Sequence, residues 1–372
     1  MNDSKDIVVI GGGLAGLISS ILLTRQGFKV ALVEKKSYPF HRVCGEYISN
    51  EVRHFLNRND LLPSNTDLAE ICNFSLSSTS GRRVDIKLPL GGFGISRFKL
   101  DHSLYLKAVA SGCEVIESDP VTGLKSFGKT FVTQLKSGKQ IESKLVISAH
   151  GKRSNIDQLL ERDFFRERSP YLGVKYHIKI DLPRDTISLH NFKNGYCGIS
   201  SVEGDTYNLC YLTHRANLRN HKSIEEMEKN VLYLNHHLKS IIQSADFVFD
   251  KPMIINEISF AAKPLVVDNI LMCGDSAGMI TPLCGNGMAM AIHSAKILSD
   301  IIATNRIQNG FQLDRIAKVY EKEWSRNFKK RLQVGRLVQG LFGGRLTSEL
   351  ALTLLQSPFG KGIVRLTHGK PF

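Results

Sequence analysis

The sequence has few cysteines, and they show none of the spacings in which cysteines usually act together. Its 372 residues include seven cysteines, an odd number, and no C-x-x-C pair. We therefore expect no disulfide framework and reduced thiols, as in cytosolic proteins. The predicted first strand begins within a few residues of Met1, which leaves no room for a signal peptide. These features together predict a cytoplasmic protein.

The sequence also lacks internal repeats, low-complexity segments and the motifs of nucleic-acid-binding proteins. Its formal net charge of +14 is compatible with a nucleic acid or an anionic membrane surface as partner. The basic residues are spread along the chain, with only short clusters such as Lys329–Arg331, so we expect no nucleic-acid binding. His236 and His237 are adjacent on a predicted helix, where their rings should point in different directions, so we expect no metal site.

The N-terminal segment carries the clearest functional pattern. Residues 6–16 read Asp-Ile-Val-Val-Ile-Gly-Gly-Gly-Leu-Ala-Gly, followed by an apolar helix pattern and a second strand that ends at Glu34. The spacing G-x-G-x-x-G predicts a separate task for each glycine. Gly11 forms the turn, Gly13 lets the backbone approach a pyrophosphate, and Gly16 lets the helix pack on the strand. The unpaired N–H groups at the helix start favour phosphate.

Glu34 completes the pattern expected of a dinucleotide-binding site. It lies 18 residues after Gly16, where a carboxylate can accept the ribose hydroxyls of an adenosine. A lone G-x-G-x-x-G is weakly specific, but its place between a strand and a helix, closed by an acid, favours dinucleotide binding over a structural turn. The predicted contacts from this region are Gly11, Gly13, Leu14, Ala15, Gly16, Glu34 and Lys35.

A second glycine-containing segment, residues 269–288, indicates which dinucleotide is bound. It reads Asn-Ile-Leu-Met-Cys-Gly-Asp-Ser-Ala-Gly-Met-Ile-Thr-Pro-Leu-Cys-Gly-Asn-Gly-Met and leads into a helical pattern. This segment resembles the second fingerprint of FAD enzymes related to para-hydroxybenzoate hydroxylase, geranylgeranyl reductase and the flavin-dependent halogenases. The resemblance implies that Asp275 holds a ribityl hydroxyl and that the helix start faces the flavin pyrimidine edge. It implies FAD contacts from Gly274, Asp275, Pro282, Gly285, Asn286, Gly287 and Met288.

The same part of the chain has a second interpretation as a membrane span. Residues 276–293 contain no Asp, Glu, Lys or Arg. Glycines and a proline interrupt the segment, however, so a loop that leads into a helix is expected. A helix start here agrees with a bound flavin, because reduced flavin is anionic and a helix N-terminus stabilises negative charge.

Two further segments extend the resemblance. Residues 40–46, Phe-His-Arg-Val-Cys-Gly-Glu, resemble the cysteine–glycine segment that geranylgeranyl reductase relatives place beside the flavin. The resemblance implies contacts from Arg42, Cys44 and Gly45. Residues 97–104, Arg-Phe-Lys-Leu-Asp-His-Ser-Leu, resemble the Arg...Asp...Leu helix start of the same relatives, whose arginine approaches the FAD phosphates; Asp101 takes the place of the Asp. For Cys44 two roles stay open, an inert buried thiol or a residue that shapes the pocket.

The segment of residues 145–154 departs from the resemblance in an informative way. It resembles the strand and turn written Ala-Asp-Gly-x-x-Ser in the hydroxylases, but His150 takes the place of the Asp. In the hydroxylases this Asp is associated with nicotinamide and pyrophosphate handling. We therefore expect slow reduction by NAD(P)H alone, with electrons from a separate reductase or ferredoxin, or reduction gated by substrate. The alternative is that His150 is simply a strand-end residue.

The order of strand and helix patterns predicts an α/β fold. A Rossmann-like FAD-binding domain of the glutathione reductase type is interleaved with an antiparallel β-sheet substrate domain, and the C-terminus is helical. The predicted FAD-binding domain comprises residues 1–72, 95–165 and 260–305, the substrate-binding sheet comprises 73–94 and 166–259, and the C-terminal helices comprise 306–372.

Candidate substrate contacts lie on the strands predicted to roof the flavin. Side chains alternate along a strand, so Tyr176 and His177 should face opposite sides of the sheet. None of these residues is assigned as an acid or base. The candidates are Tyr176, His177, His190, Tyr196 and Tyr211.

The predicted function is an FAD-dependent oxidoreductase, with a monooxygenase of an aromatic or lipid-like intermediate as the leading interpretation. A geranylgeranyl-reductase-like enzyme that reduces isoprenoid double bonds is the alternative. A halogenase is less favoured, because the only tryptophan, Trp324, lies outside the Trp-x-Trp-x-x-Pro segment of those enzymes. A non-catalytic flavin-binding or membrane-docking protein is the remaining hypothesis. The leucine-rich C-terminal helices either pack on the body of the protein or contact a membrane surface.

Overall fold

The computed structural model describes residues 4–281, 285–308, 310–357, 362 and 368–372. The strands in chain order are β1 (Lys5–Ile10), β2 (Val30–Val33), β3 (Tyr47–Ser49), β4 (Ala69–Ser77), β5 (Arg83–Gly94), β6 (Glu114–Ile116), β7 (Val121–Phe127), β8 (Thr130–Leu135), β9 (Gln140–Ser148), β10 (Tyr171–Lys179), β11 (Thr186–Phe192), β12 (Gly195–Ser201), β13 (Thr206–His214), β14 (Asp246–Phe247), β15 (Met253–Asn256), β16 (Val266–Val267), β17 (Ile270–Met272), β18 (Arg306–Ile307) and β19 (Gly310–Phe311). The α-helices are α1 (Leu14–Arg25), α2 (Arg53–Arg58), α3 (Arg97–Ala110), α4 (Asn155–Leu159), α5 (Arg215–Arg219), α6 (Ile224–Val231), α7 (His236–Ser244), α8 (Gly287–Thr304), α9 (Leu313–Gln339) and α10 (Arg345–Gln356).

The first sheet is built around β1, an apolar strand that is covered on both faces. Ile7, Val8 and Val9 are fully buried, as expected of a central strand in a mainly parallel sheet. β1 pairs in parallel with β2 on one side and with β9 on the other. The strand order is β16-β17-β9-β1-β2-β6, and the β7–β8 hairpin joins through β9. Helices α1, α3, α8 and α9 complete this core.

The second sheet is almost entirely antiparallel. Its order is β14-β10-β13-β12-β11-β4-β5-β3, β15 pairs with the edge of β10, and only β11 and β4 run parallel. Helices α6 and α7 cover one face, where Met227 and Leu238 pack with Val174 and Ile178 of β10. Because side chains alternate along β10, its odd-numbered residues face the other side of the sheet.

The C-terminal helices pack on the body of the protein. Tyr320, Trp324 and Phe328 of α9 are buried in the core of the first sheet, and the Tyr320 hydroxyl donates to the Met272 carbonyl oxygen at 2.8 Å. Ala351 and Leu352 of α10 pack against the second sheet. Among the helices of the described ranges, none has the length and apolar character needed to cross a membrane.

The predicted fold class is confirmed, with its parallel core, its antiparallel second sheet and its helical C-terminus. A turn at residues 137–139 joins β8 to β9, with Gly138 at φ +91°. β3 and the start of β4 pair within the second sheet, although they fall in the range 1–72 assigned to the FAD-binding domain. The domain boundaries stay a prediction.

The expectation that the rings of His236 and His237 point apart is wrong. Their centroids are only 4.0 Å apart. Both residues lie in the first turn of α7, where the helix has just begun, and His237 Nε2 is 2.9 Å from the Gly81 carbonyl oxygen. His237 also stacks on His190 of β11, at 5.6 Å between centroids. Tertiary packing therefore sets the directions of these rings.

Candidate active site

A cavity of about 640 Å³ is lined by residues of both sheets and of α9 and α10. Four strands of the first sheet end at this cavity, as is usual for ligand sites in α/β folds. The residues that directly follow them are Gly11 after β1, Glu34 after β2, Ala149 after β9 and Cys273 after β17. The cavity thus contains the carboxyl end of the parallel sheet, where both predicted fingerprints lie.

The first glycine turn has the geometry that its spacing predicts. Gly11 has φ +100°, and a Cβ on it would lie 2.5 Å from the Ala149 carbonyl oxygen. A Cβ on Gly16 would lie 1.9 Å from the Gly11 carbonyl oxygen, so α1 can approach β1 only because this residue lacks a side chain. A Cβ on Gly13 would meet only Arg97 Nη2, at 3.7 Å. Gly13 therefore leaves room on the cavity side.

The start of α1 is suited to an anion. Gly13 is its N-cap, no side chain caps the helix, and its first turn contains no acidic residue. Leu14 and Ala15 line the cavity with the glycine turn. Backbone N–H groups at a helix N-terminus bind phosphate through hydrogen bonds and the helix dipole. This geometry fits the pyrophosphate of FAD.

Glu34 is buried beside the glycine turn and already has protein partners. Its Oε2 accepts from the Gly12 N–H at 2.9 Å and from Arg42 Nη2 at 3.1 Å, and its Oε1 accepts from the Lys36 N–H at 3.1 Å. The Tyr38 hydroxyl donates to the Gly12 carbonyl oxygen at 2.5 Å. A Cβ on Gly12 would lie 2.0 Å from that hydroxyl oxygen. The sequence pattern assigns no task to Gly12, the middle glycine. The structure gives the reason for it, because the Tyr38 hydroxyl occupies the place where a side chain would begin.

Two arginines converge on one buried carboxylate at the cavity wall. Asp101 accepts from Arg42 Nε at 2.9 Å and from Arg97 Nε and Nη2 at 2.6 and 2.7 Å. Burial alone would lower the pKa of Arg97, but the Asp101 carboxylate outweighs this effect and the pKa lies above its ordinary value. Both guanidinium groups are thus held charged at the wall, where they can face the FAD phosphates. Asp101 is the acid of the Arg...Asp...Leu helix start to which the sequence shows a resemblance.

The cysteine–glycine segment lies at the same wall. Cys44 and Gly45 line the cavity, and a Cβ on Gly45 would meet no atom within 4 Å. Burial raises the pKa of the Cys44 thiol, and the nearby Arg97 acts against this effect. A thiol with a raised pKa is a poor nucleophile at neutral pH. This favours a role for Cys44 in shaping the wall over covalent chemistry.

The second fingerprint lies beside the first at the cavity. Gly274 has φ +69°, and a Cβ on it would lie 2.8 Å from the Ala15 side chain, so the two turns approach each other closely. Gly285 also has a left-handed conformation, with φ +62°, and α8 begins at Gly287 with no side-chain cap from Asn286. Gly285, Asn286, Gly287 and Met288 line the cavity. The predicted contact Pro282 lies outside the described residues.

Asp275 lies in this wall among several cations. Burial raises the pKa of Asp275, and Lys263, Arg97 and Lys152 act in the opposite direction. Lys263 Nζ donates to the Lys152 and Asp275 carbonyl oxygens at 2.7 and 3.0 Å. Burial lowers the pKa of both lysines to about 8. Asp275, whose carboxylate the resemblance assigns to a ribityl hydroxyl, is therefore part of an electropositive wall.

His150 is tied into the protein interior. Its Nδ1 is 2.7 Å from Ser148 Oγ and its Nε2 is 2.9 Å from Asp157 Oδ1. Burial lowers the pKa of His150, although Asp157 acts to raise it. Arg162 Nη1 donates to the same Asp157 oxygen at 2.8 Å. This arrangement uses both ring nitrogens for structure, and the role of His150 in electron supply stays a prediction.

The second sheet supplies a different wall. Tyr176 and His177 face opposite sides, as predicted: the Tyr176 hydroxyl donates to Glu228 Oε1 at 3.0 Å, and His177 Nε2 lies 2.6 Å from Glu46 Oε2. Of the candidate substrate contacts, Tyr196 and Tyr211 border the cavity. The Tyr211 hydroxyl is on the opposite face of the sheet, where it donates to Glu228 Oε1 at 2.7 Å. The remaining wall is mainly apolar, with Phe74, Leu88, Ile187, Leu189, Leu212, Ile258, Val338, Leu341, Phe342, Ala351 and Leu355.

The structure brings most of the predicted site residues to this single cavity. Arg42 and Lys35 also line it, Lys35 being exposed. Gly16 supports the turn from behind. Two glycine turns, a helix start without a cap and paired arginines form a cradle that fits FAD, and an apolar cleft adjoins it. Such a site defines a flavin-dependent oxidoreductase.

Comparison with known proteins agrees with this class. The chain belongs to the family described as FAD binding domain, whose model matches residues 4–327. It is similar to digeranylgeranylglycerophospholipid reductase 3 of Methanosphaera stadtmanae, with 22% identity over 348 residues that cover 88% of this chain and 85% of the relative. It is also similar to the digeranylgeranylglycerophospholipid reductase of Methanocaldococcus jannaschii, with 25% identity over 337 residues, 87% of this chain and 83% of the relative.

A solved structure of a geranylgeranyl bacteriochlorophyll reductase-like protein from Thermoplasma acidophilum has the same fold, with a TM-score of 0.80 and 17% identity over 98% of this chain and 96% of that one. The predicted resemblance to the hydroxylase and geranylgeranyl reductase superfamily is confirmed, and the protein is an FAD-dependent oxidoreductase.

Proposed function

We propose that the protein reduces carbon–carbon double bonds of an isoprenoid, lipid-like substrate. The observation that carries this proposal is the apolar cleft that continues from the FAD cradle toward α9 and α10. Leu189 and Leu212 line it from the second sheet. Leu341 and Phe342 line it from the connection between α9 and α10, and Leu355 lines it from α10. A hydrocarbon chain offers no hydrogen-bonding groups and is stabilised by such a surface at about 25 cal/mol per Å² buried.

The relatives support the same substrate class. The curated relatives described above are named for reduction of a digeranylgeranyl glycerophospholipid, and this chain matches more than four fifths of their length. Identity is low, so the proposal concerns the class of substrate and not a particular lipid. The proposal places reduction before hydroxylation, whereas the sequence patterns favoured hydroxylation. Those patterns are common to both reactions and carry no information about the cleft.

The residues of the cradle have defined tasks in such a reaction. Reduced FAD supplies the hydride when it is bound. The turn at Gly11 and the start of α1 hold the pyrophosphate, and Arg42 and Arg97 add positive charge that Asp101 keeps in place. The apolar cleft excludes water and aligns the chain of the substrate.

Product mass tests the proposal directly. The protein is reduced with dithionite without oxygen and incubated with a glycerophospholipid that carries geranylgeranyl chains in detergent. We expect products that gain hydrogen atoms in pairs and contain no added oxygen. Products that gain an oxygen atom when air is admitted, with no hydrogenated product under either condition, would identify a monooxygenase instead.

A protein electron donor is the second part of the proposal. His150 replaces the Asp that the hydroxylases associate with nicotinamide handling, and its ring nitrogens are engaged by Ser148 and Asp157. We expect NADH and NADPH to reduce the bound flavin slowly in the absence of substrate, and reduced ferredoxin to reduce it fast. Anaerobic stopped-flow absorbance measures both rates, and rapid bleaching by either nucleotide alone would contradict this part.

Peripheral contact with a membrane would bring such a substrate to the cleft. Leu337, Leu346 and Leu350 project from α9 and α10 with exposures of 75%, 84% and 51%, and the exposed Arg336 and Arg345 lie in the same helices. Apolar side chains flanked by cations suit an anionic bilayer surface. Co-sedimentation with vesicles of anionic lipid, compared between the natural protein and a variant with Leu346→Ser and Leu350→Ser, tests this contact.

A further inference from the structure

A buried cluster of ionisable side chains lies at the cavity wall that contains Cys44 and Gly45, and Glu46 itself borders the cavity. Glu46 is fully buried, and so is Lys175 of β10. Lys175 Nζ donates to Glu46 Oε1 at 2.5 Å, and His177 Nε2 lies 2.6 Å from Glu46 Oε2. We call Glu46, Lys175 and His177 the buried charge cluster. Glu46 and His177 lie in separate segments that the sequence analysis named, but nothing in the sequence indicates their pairing with Lys175, because 129 residues separate Glu46 from Lys175.

The cluster joins three elements that meet at the FAD cradle. Glu46 Oε1 accepts from the Arg97 N–H at 2.7 Å, at the start of α3. Lys175 Nζ also donates to the Arg42 carbonyl oxygen at 3.1 Å. The cluster thus ties both arginines of the wall, through their backbones, to the second sheet.

The backbone conformation of Glu46 indicates that this arrangement is imposed by its contacts. Glu46 has φ +54°, a left-handed conformation that is unfavourable for a residue with a long side chain. A buried carboxylate is also costly unless it is paired and hydrogen-bonded. Its partners lower the pKa of Glu46 against the effect of burial, with Lys175 the largest of them. The segment before Glu46 is therefore held in one conformation by charge pairing.

We propose that the buried charge cluster positions the cysteine–glycine segment and the two arginines for FAD, and that its balance of charge sets the potential of the bound flavin. Glu46 and Lys175 are positioning residues in this proposal. The proposal rests on the FAD site described above and does not depend on the identity of the substrate.

The two members of the ion pair should have effects of opposite sign on the flavin. In Glu46→Gln the Lys175 ammonium loses its counter-charge, and in Lys175→Met the Glu46 carboxylate does. Reduced flavin is anionic, so an additional positive charge behind the wall favours reduction and an additional negative charge opposes it. The midpoint potential should therefore rise in Glu46→Gln and fall in Lys175→Met. A loosened fold would move both in the same direction.

The experiment uses the full chain reconstituted with FAD. FAD affinity is measured by flavin fluorescence, and the midpoint potential by anaerobic dye equilibration. We expect each single variant to bind FAD about tenfold or more weakly, because hydrogen bonds to a charged group are lost. The double variant should lose less FAD binding energy than the sum of the losses in the two single variants. Its midpoint potential should be near that of the natural protein, since it leaves no unpaired buried charge.

Glu228→Gln is the matched control. Glu228 is also a buried carboxylate that contacts β10, but it accepts from Tyr176 and Tyr211 on the face of the sheet that is turned away from the cluster. FAD affinity and potential should be unchanged in this variant. If the single cluster variants do not fold, His177→Gln, which changes one contact of Glu46 and keeps the ion pair, tests the positioning role through FAD affinity.

Unchanged FAD affinity in the cluster variants, or potentials that shift in the same direction, would overturn the proposal. Glu34→Gln distinguishes this failure from a misplaced FAD site. If Glu34→Gln weakens FAD and Glu46→Gln does not, the cluster has no positioning role. If neither variant affects FAD, the site itself is misplaced.

Discussion

The FAD-facing wall of the cavity is made of backbone turns and charged groups, whereas the wall formed by the second sheet and the C-terminal helices is made mainly of apolar side chains. In the first wall, Gly11 and Gly274 allow close packing of neighbouring segments, and Gly13 leaves room on the cavity side. In the second wall, side chains such as Leu212 and Phe342 provide the surface. The first wall is thus suited to one defined cofactor, and the second to a ligand recognised by shape and apolar area.

This difference indicates which substitutions each wall should tolerate. A backbone cradle depends on the absence of side chains, so one added methyl group can disrupt it. An apolar wall depends on summed surface, so substitutions that keep volume and polarity should alter it only gradually. The predictions below separate the two walls by these criteria, from the largest expected effect to the smallest.

The glycine turn should show the largest effects, and two of its glycines should differ. A Cβ in Gly16→Ala would lie 1.9 Å from the Gly11 carbonyl oxygen, whereas one in Gly13→Ala would meet only Arg97 Nη2, at 3.7 Å. We expect Gly16→Ala to destabilise the protein without FAD by about 1–3 kcal/mol through overpacking. Gly13→Ala should keep its stability but bind FAD weakly. Urea unfolding and flavin fluorescence measure the two quantities; equal stability losses would contradict this assignment.

The carboxylates of the cradle should come next. Glu34→Gln and Asp275→Ala should each weaken FAD by roughly tenfold or more, because a hydrogen bond to a charged group contributes about 1.5–3 kcal/mol. Glu70→Gln, which alters an exposed ion pair with Arg53, is the control and should have no effect. Flavin fluorescence titration of each variant gives the affinity. Natural affinity in both cradle variants would show that the site is misplaced.

The apolar wall should affect the substrate and not FAD. Ala351 of α10 lines the cleft, so Ala351→Phe should narrow it and lower kcat/KM for a long-chain substrate by roughly tenfold or more. FAD affinity should not change. Thr353→Phe adds the same ring on the same helix at an exposed position and should leave both quantities unchanged. A loss of FAD in Ala351→Phe, with substrate turnover intact, would reverse the assignment of the two walls.

The last prediction concerns pH and not a variant of either wall, and we expect its effect in both halves of the molecule. Burial lowers the pKa of His190 in the second sheet to about 3 and that of His293 on α8 to about 4. Above the unfolded pKa of about 6.5 both states are neutral, and below it the unfolded chain binds protons first. Stability should therefore fall from about pH 6.5 toward pH 4, by at most about 1.4 kcal/mol per pH unit for each histidine.

Urea unfolding at several pH values measures this slope. His190→Gln and His293→Gln should each reduce it, because glutamine does not titrate. A slope that both variants leave unchanged would assign the acid sensitivity to other groups.

The first fingerprint was predictable because its parts are close together in the sequence. Turn, helix start and strand follow one another within about one βαβ unit, and each glycine has a local steric reason. The antiparallel roof and the opposite facing of Tyr176 and His177 were predictable from alternation. The helical pairing of Arg97 with Asp101, four residues later, was available from spacing, but its second partner Arg42 was not.

Other features had no sequence signal. Gly12 is fixed by Tyr38, which packs on Tyr105 of α3, and this packing depends on how α3 is placed. The rings of His236 and His237 were wrongly predicted to point apart, because helix geometry alone ignores what lies beside the first turn.

The sequence by itself determined the βαβ unit, because its parts depend on backbone conformation and on residues near each other in the chain. The choice of FAD followed from the resemblance of residues 269–288 to the second fingerprint of FAD enzymes. Only the tertiary structure decided the apolar cleft and the pairing of Glu46 with Lys175. Both consist of contacts between distant segments, whose distances are set by the packing of two sheets and of α9 and α10. Sequence periodicity indicates which face of a helix or strand is buried, but it does not indicate which other element packs against that face.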